Sequence, residues 1–110
     1  MARLGHVIFT GKSGKKYTLD AYDIKSSWSE VAVVYIATRA EEKPDGGYTH
    51  HAIYIGQTDN LKERFKTHLR QGCFEKNKAN RLCLLMEKDL KTRLSIESDL
   101  IGLWKPPCND

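Results

Sequence analysis

His6–Thr10 reads as a short strand, and so does Lys16–Tyr22, where polar and apolar residues alternate. Period-two alternation marks a strand with one covered face. Gly11-Lys12-Ser13-Gly14 between them supplies glycines for positive-φ turn positions, so the pattern predicts a β-hairpin. Residues 23–30 (DIKSSWSE) read as a connector. Residues 31–40 (VAVVYIATRA) are rich in β-branched side chains and carry no breaker, which predicts a strand covered on both faces or nearly so. EEKPDGG, residues 41–47, is the strongest turn signal in the chain. YTHHAIYIGQ, residues 48–57, reads as the returning strand of a long antiparallel hairpin.

After Thr58 or Asp59, either of which can cap a helix, Leu61, Phe65 and Leu69 recur at i, i+4, i+8 and predict a helix over residues 59–70. Gly72 is read as its end and residues 71–80 as a polar loop. RLCLLMEK, residues 81–88, reads as another core strand. Asp89 caps a second helix whose apolar set is Leu90, Leu94, Ile96, Leu100, Ile101, Leu103 and Trp104, stopped by Lys105-Pro106-Pro107. The fold class is α+β: a small, mainly antiparallel β-sheet flanked by helices, with an extra N-terminal β-hairpin.

Length and composition narrow this reading. A chain of 110 residues, 40% hydrophobic and 29% charged, fits one globular unit with a modest core. We read residues 1–30 as a hairpin and connector packed on a domain of residues 31–110. No apolar run approaches the ~20 residues of a membrane span, and the N-terminus has too short an apolar stretch for a signal peptide. Three cysteines, an odd count without a CxxC pair, indicate neither a disulfide framework nor a zinc cluster. Reduced thiols in a cytoplasmic protein are expected. The net charge of +4 makes a nucleic-acid partner a reasonable candidate without selecting one.

One carboxylate breaks the pattern. On a wheel of about 100° per residue, Leu94 at 0° puts Leu90 at about 320°, Trp104 at about 280° and Glu97 at about 300°, inside the apolar arc. Burying a lone carboxylate is costly unless a cation, a proton or an arginine neutralises it. An i, i+4 pair with Arg93 is the structural alternative to a metal ligand in a cleft. On the first helix, Arg64 and His68 share one edge at i, i+4, either as a solvated flank or as a phosphate clamp. Tyr35 and Tyr54 sit centrally on the paired strands, where tyrosine also serves ordinary packing.

Val33-Val34-Tyr35, Tyr54-Ile55-Gly56, Arg64, Glu97 and Asn109 occur in an order that resembles the GIY-YIG nuclease superfamily. YIGQTDNLKERFKTH is similar to its second motif, helix start and Arg-x3-His run, and IESDLIGLWKPPCN to its glutamate helix, proline turn and asparagine. The resemblance covers residues 31–110. The first motif departs from the family pattern in reading Val-Val-Tyr, and the connection between the motifs, residues 36–53, is longer than usual.

That resemblance implies an endonuclease that hydrolyses DNA phosphodiesters with a single Mg²⁺ or Mn²⁺. Glu97 would hold the metal, Tyr35 would activate water, and Arg64 would stabilise the transition state. Tyr54 would orient the nucleophile or phosphate, and His68 would bind phosphate or relay a proton. Asn109 would hydrogen-bond near the glutamate or the substrate backbone. Of the two neighbouring histidines, strand alternation puts His50 on the Tyr54 face and His51 on the other. Lys62, Lys66, Arg70, Lys76, Lys78 and Arg81 form the expected nucleic-acid-binding set, within a segment of seven cations against Glu63 and Glu75. Lys12, Lys15 and Lys16 are a second basic site. Such contacts give salt-dependent affinity without sequence choice. The implied partner is DNA, with branched and single-stranded forms and RNA left open, no membrane, and a partner protein as a source of specificity. A catalytically weak nucleic-acid-binding module of the same fold is the alternative, and a structural role with Glu97 paired to Arg93 is a third.

Overall fold

The computed structural model describes residues 3–66 and 71–109. The strands are β1 (Gly5–Thr10), β2 (Lys16–Asp23), β3 (Val33–Glu42), β4 (Tyr48–Thr58) and β5 (Arg81–Met86). They form one antiparallel sheet in the order β1-β2-β5-β3-β4. The helices are α1 (Leu61–Lys66), α2 (Gln71–Lys76) and α3 (Leu90–Trp104). None of the described helices is long and apolar enough to cross a membrane.

Helices cover both faces of the sheet. On one, Phe9, Leu19, Val34, Ile36, Ile55 and Cys83 pack against Ile96 and Leu100 of α3. On the other, Val33, Tyr35, Ala37, Leu82 and Leu84 pack against Leu61 of α1 and Phe74 of α2. β3 lies between β5 and β4 with cover on both sides, so Val33 through Thr38 are all buried. That explains its unbroken apolar run.

The N-terminal hairpin is part of the sheet, because β2 pairs with β5. Its turn is docked on α3 by Asp99, whose carboxylate accepts from the Ser13 N–H (2.8 Å), the Ser13 hydroxyl (2.7 Å) and the Tyr17 hydroxyl (2.8 Å). A Cβ at Gly11 would run into the Asp99 carboxylate, so glycine lets the turn dock this closely without moving that side chain. The Ser13 hydrogen bonds hold the Asp99 carboxyl below the ordinary aspartate value of 3.8. A depressed folded pKa contributes stability that is complete above the unfolded value and is lost as pH falls through the folded one. The melting temperature of Asp99→Asn is therefore expected to vary less than that of the wild type between pH 6 and pH 3. Parallel slopes would mean that Asp99 carries no such linkage.

Three sequence expectations change. Residues 71–76 are helix α2, where a loop was expected, and Gly72 lies inside it rather than ending a helix. Local propensity is weak there, and burial of Phe74 against Tyr54 and Phe65 decides the conformation. The described part of the first helix begins at Leu61, capped by Asn60, whose side chain accepts from the Glu63 N–H at 3.2 Å. Leu69 lies outside the described residues. The reduced-thiol expectation also fails. Cys73 of α2 is disulfide-bonded to Cys108, 35 residues away, while Cys83 is a buried free thiol. Those two cysteines meet only because α2 and the C-terminal segment converge beside β4, a tertiary fact that local pattern does not carry. The cap at Asp89 is as read: its carboxylate accepts from the Thr92 N–H at 2.9 Å.

Candidate active site

The candidate residues come from four elements: Tyr35 from β3, Tyr54 from β4, Arg64 from α1 and Glu97 from α3. Tyr35 points to the α1 face of β3 and is fully buried. The Arg64 Nε of α1 donates to its hydroxyl at 3.3 Å. The Tyr54 ring lies 5.9 Å from the Tyr35 ring, with Phe65 edge-on to Tyr35 at 6.0 Å and Phe74 at 5.7 Å from Tyr54. Gly56 makes this possible. It lies directly across from Tyr35 in the ladder, and a Cβ there would come within 2.7 Å of the Tyr35 ring and hydroxyl and 2.8 Å of the Tyr54 ring.

A β-bulge sets the direction of Tyr54. Ala37 pairs with Tyr54 but Thr38 pairs with Ala52, so Ile53 is the extra residue. Ile53 and Tyr54 consequently join the α1 face, while Ile55 and Ala52 join the α3 face. This reverses the alternation beyond Tyr54. His50, expected on the Tyr54 face, is on the α3 face, with its Nδ1 3.0 Å from the Thr38 hydroxyl. His51 lies 3.6 Å from Glu41.

Glu97 projects from α3, half-buried. Burial pushes its carboxyl above the ordinary glutamate value, and the Arg64 charge pulls the other way. Its electrostatic neighbour is thus Arg64. Arg93 is committed elsewhere: it is buried, its Nε donates to the Gln57 side chain at 2.9 Å, and its Nη1 donates to the Glu87 and Lys88 carbonyls at 3.0 and 2.9 Å. The Glu97–Arg93 pair is not formed. The wheel misjudged the covered side of α3, whose buried residues are Arg93, Ile96 and Leu100, while Leu90 and Leu94 are exposed. Glu97 stands on the border of the buried arc.

Burial raises the Tyr35 phenol well above its ordinary range, outweighing the opposing hydrogen bond from Arg64. The same hydrogen bond has the largest effect on Arg64 and raises it, so the guanidinium stays charged. Among the described residues no group of three or more His, Cys, Asp or Glu gathers in one place.

Asn109 takes a different part from the one expected. Its amide accepts from the Ile55 N–H at 2.7 Å and donates to the Ile55 carbonyl at 2.8 Å. Together with the bond from the Cys108 N–H to the Ile53 carbonyl at 3.0 Å, it closes the open edge of β4 beside Tyr54. Both of its polar groups bond the Ile55 backbone. Leaving those backbone groups unmatched typically costs about 1–3 kcal/mol, so thermal melts should show Asn109→Ala less stable by about that amount. An unchanged melting temperature would mean water replaces the clamp.

Lys62, Lys66, Lys76 and Lys78 are exposed on or just after α1 and α2. Lys66 is 3.3 Å from Glu63. Arg81 leaves this set: β5 alternation turns it to the α3 face, where its guanidinium lies 5.8 Å from the Tyr48 ring centroid. His68 and Arg70 lie outside the described residues. Lys12, Lys15 and Lys16 stand on the β1–β2 hairpin, with Lys15 5.7 Å from the Tyr17 ring. Comparison of the chain with protein-family models, curated proteins and solved structures returned no match.

Proposed function

We propose that the chain is a divalent-metal-dependent endonuclease of the GIY-YIG type, acting on DNA phosphodiesters. The observation that carries this reading is the pairing of a half-buried carboxylate, free of its helix neighbour Arg93, with the charge of an arginine that itself holds a buried phenol. Mg²⁺ takes oxygen ligands, keeps several waters and is often held by one or two protein carboxylates, so Glu97 alone fits it as the protein ligand. When bound, such a cation offsets charge on the scissile phosphate and the leaving 3′ oxygen.

The remaining groups follow from their positions. Arg64, exposed and charged, holds phosphate oxygens as negative charge builds in the transition state. Tyr35 binds and activates the attacking water, with the Arg64 guanidinium as the chain's own offset to the burial that keeps its phenol protonated. Tyr54, packed against Tyr35, orients water or phosphate. Lys62, Lys66, Lys76 and Lys78 engage flanking phosphates, giving affinity that falls with salt. Arg64 is exposed and Tyr54 and Glu97 are half-buried, a shallow arrangement suited to a large substrate rather than an enclosed small molecule.

The test is cleavage of supercoiled plasmid and branched DNA with Mg²⁺ or Mn²⁺ by the wild type and Glu97→Ala. Cleavage by the wild type alone, abolished by chelator, is the expected result; equal activity in both proteins defeats the proposal. The second reading, a nucleic-acid-binding module with weak catalysis, draws on the burial of Tyr35, which opposes ionisation of the phenol. It predicts retained DNA binding without metal-dependent cleavage.

A further inference from the structure

A recess of about 420 Å³ opens on the α3 face of the sheet, on the opposite side from the Tyr35 ring. Both edge strands contribute to it, β1 through His6 and its neighbours and β4 through Tyr48 and His50. Ala21 of β2 and Arg81 of β5 also line it, and Trp104 closes it at the end of α3. Its size falls within the roughly 300–1,000 Å³ of small-molecule sites.

The lining has a definite chemistry. No carboxylate lines the recess among the described residues. The nearby Asp20 is held by His6 at 3.0 Å and Arg3 at 3.6 Å. Arg81 is half-buried and fixed, with its Nη1 donating to the Asn80 carbonyl at 3.2 Å and its guanidinium against the Tyr48 ring. The hydrogen bond with Thr38, a fully buried residue, fixes the His50 ring at Nδ1. Trp104 is equally rigid, donating its indole N–H to the Thr10 carbonyl at 2.9 Å and meeting Phe9 edge-on at 5.2 Å. Yet Trp104 and Tyr48 remain 40% and 48% exposed. Immobilised, exposed aromatic faces are stacking platforms for nucleobases, and a fixed guanidinium matches a phosphate.

We propose that this recess binds a nucleotide, its base against Trp104 and Tyr48 and its phosphate on Arg81 and His50. Free nucleotide and the terminal nucleotide of a single strand share that chemistry. The proposal is independent of the endonuclease reading, because it uses neither Tyr35, Arg64 nor Glu97.

Two indoles make it testable by ¹H–¹⁵N spectroscopy on the full chain. Trp104 lines the recess, while Trp28 packs with Tyr22 and Phe65 on the other face, beside Lys62 and Lys66, and reports separately any binding there. Adenosine monophosphate should move the Trp104 indole signal saturably. Adenosine alone, inorganic phosphate alone and the Arg81→Gln protein with adenosine monophosphate should each bind about tenfold or more weakly, because base and phosphate contacts act together. Titration with 5′-phosphorylated octathymidylate separates the two sources: tighter binding than the mononucleotide assigns a strand end, and weaker binding assigns a free nucleotide. Should Arg81→Gln not fold, Tyr48→Ala, changed at a half-exposed strand end, gives the same reading through loss of the stacking face. The proposal is overturned if neither ligand moves the Trp104 signal saturably, or if a folded variant binds as the wild type does.

Discussion

Cleavage by Glu97→Ala is expected to fall about 10²–10³-fold below wild type, the usual cost of removing one preorganised electrostatic contact to the reacting phosphate. Glu97→Gln should lose as much, since the amide keeps the shape and drops the charge that holds a cation. Stability should move differently. Burial raises the folded pKa of Glu97 above the ordinary value of 4.5, so its ionised form is disfavoured by folding. The sign follows from linkage: with the folded pKa the higher of the two, the native state binds more protons than the unfolded chain. Wild-type stability therefore gains as pH falls from above the folded pKa toward 4.5, and Glu97→Gln loses that dependence. At neutral pH the melting temperature of Glu97→Gln should equal or exceed that of the wild type, a small effect because the group is half-exposed. A marked drop would reveal an ion pair that the carboxylate stabilises, and with it a structural role. Added Mg²⁺ in the presence of DNA should raise the wild-type melting temperature and leave that of Glu97→Gln unchanged.

The parts of this fold written in local pattern were legible. The short apolar run of β1, the alternation in β2, the unbroken apolar run of β3, the Pro44–Gly47 turn and the Asp89 cap all concern neighbours within a few residues, and they stand where the sequence puts them. The carboxylate on α3 was legible for a related reason: it breaks a periodicity. Its surroundings were not. A wheel ranks residues by hydropathy, but α3 buries Arg93, whose hydrogen bonds to Gln57 and two carbonyls make a charged side chain an inner one. That exchange left Leu90 and Leu94 outside and moved Glu97 to the border. Likewise the bulge at Ile53 hangs on one extra residue in the ladder, which period-two counting cannot detect and which inverted the face of His50. The Cys73–Cys108 bond and the Asn109 clamp share a cause, the C-terminal segment returning to β4, and helix α2 rests on the burial of Phe74 against Tyr54 and Phe65. The residues of the proposed site are drawn from four elements, so their chemistry was readable one by one and their arrangement was not.

Gly56→Ala is expected to be the most disruptive single-methyl change in the site. The added carbon would sit 2.7 Å from the Tyr35 hydroxyl and 2.8 Å from the Tyr54 ring, closer than real carbons approach. Neither ring can easily yield. Tyr35 is fully buried with Phe65 edge-on, and Tyr54 is backed by Phe74. Overpacking of this kind typically costs about 1–3 kcal/mol, and each kcal/mol shifts the melting temperature of a domain near this size by roughly 4 °C. The chemical consequence should exceed the structural one. Moving the Tyr35 hydroxyl away from the Arg64 Nε displaces the pair that would position water and phosphate, and an ~1 Å misplacement can cost about 10²-fold in rate. Gly72→Ala is the matched control. It adds the same methyl near the start of α2 with no atom within 4 Å, where alanine is the better helix former. The two substitutions should therefore move the melting temperature in opposite directions, with Gly56→Ala alone losing cleavage. If Gly56→Ala melts and cleaves as the wild type does, the two phenols have room to part, and contact between them is not what holds the site together.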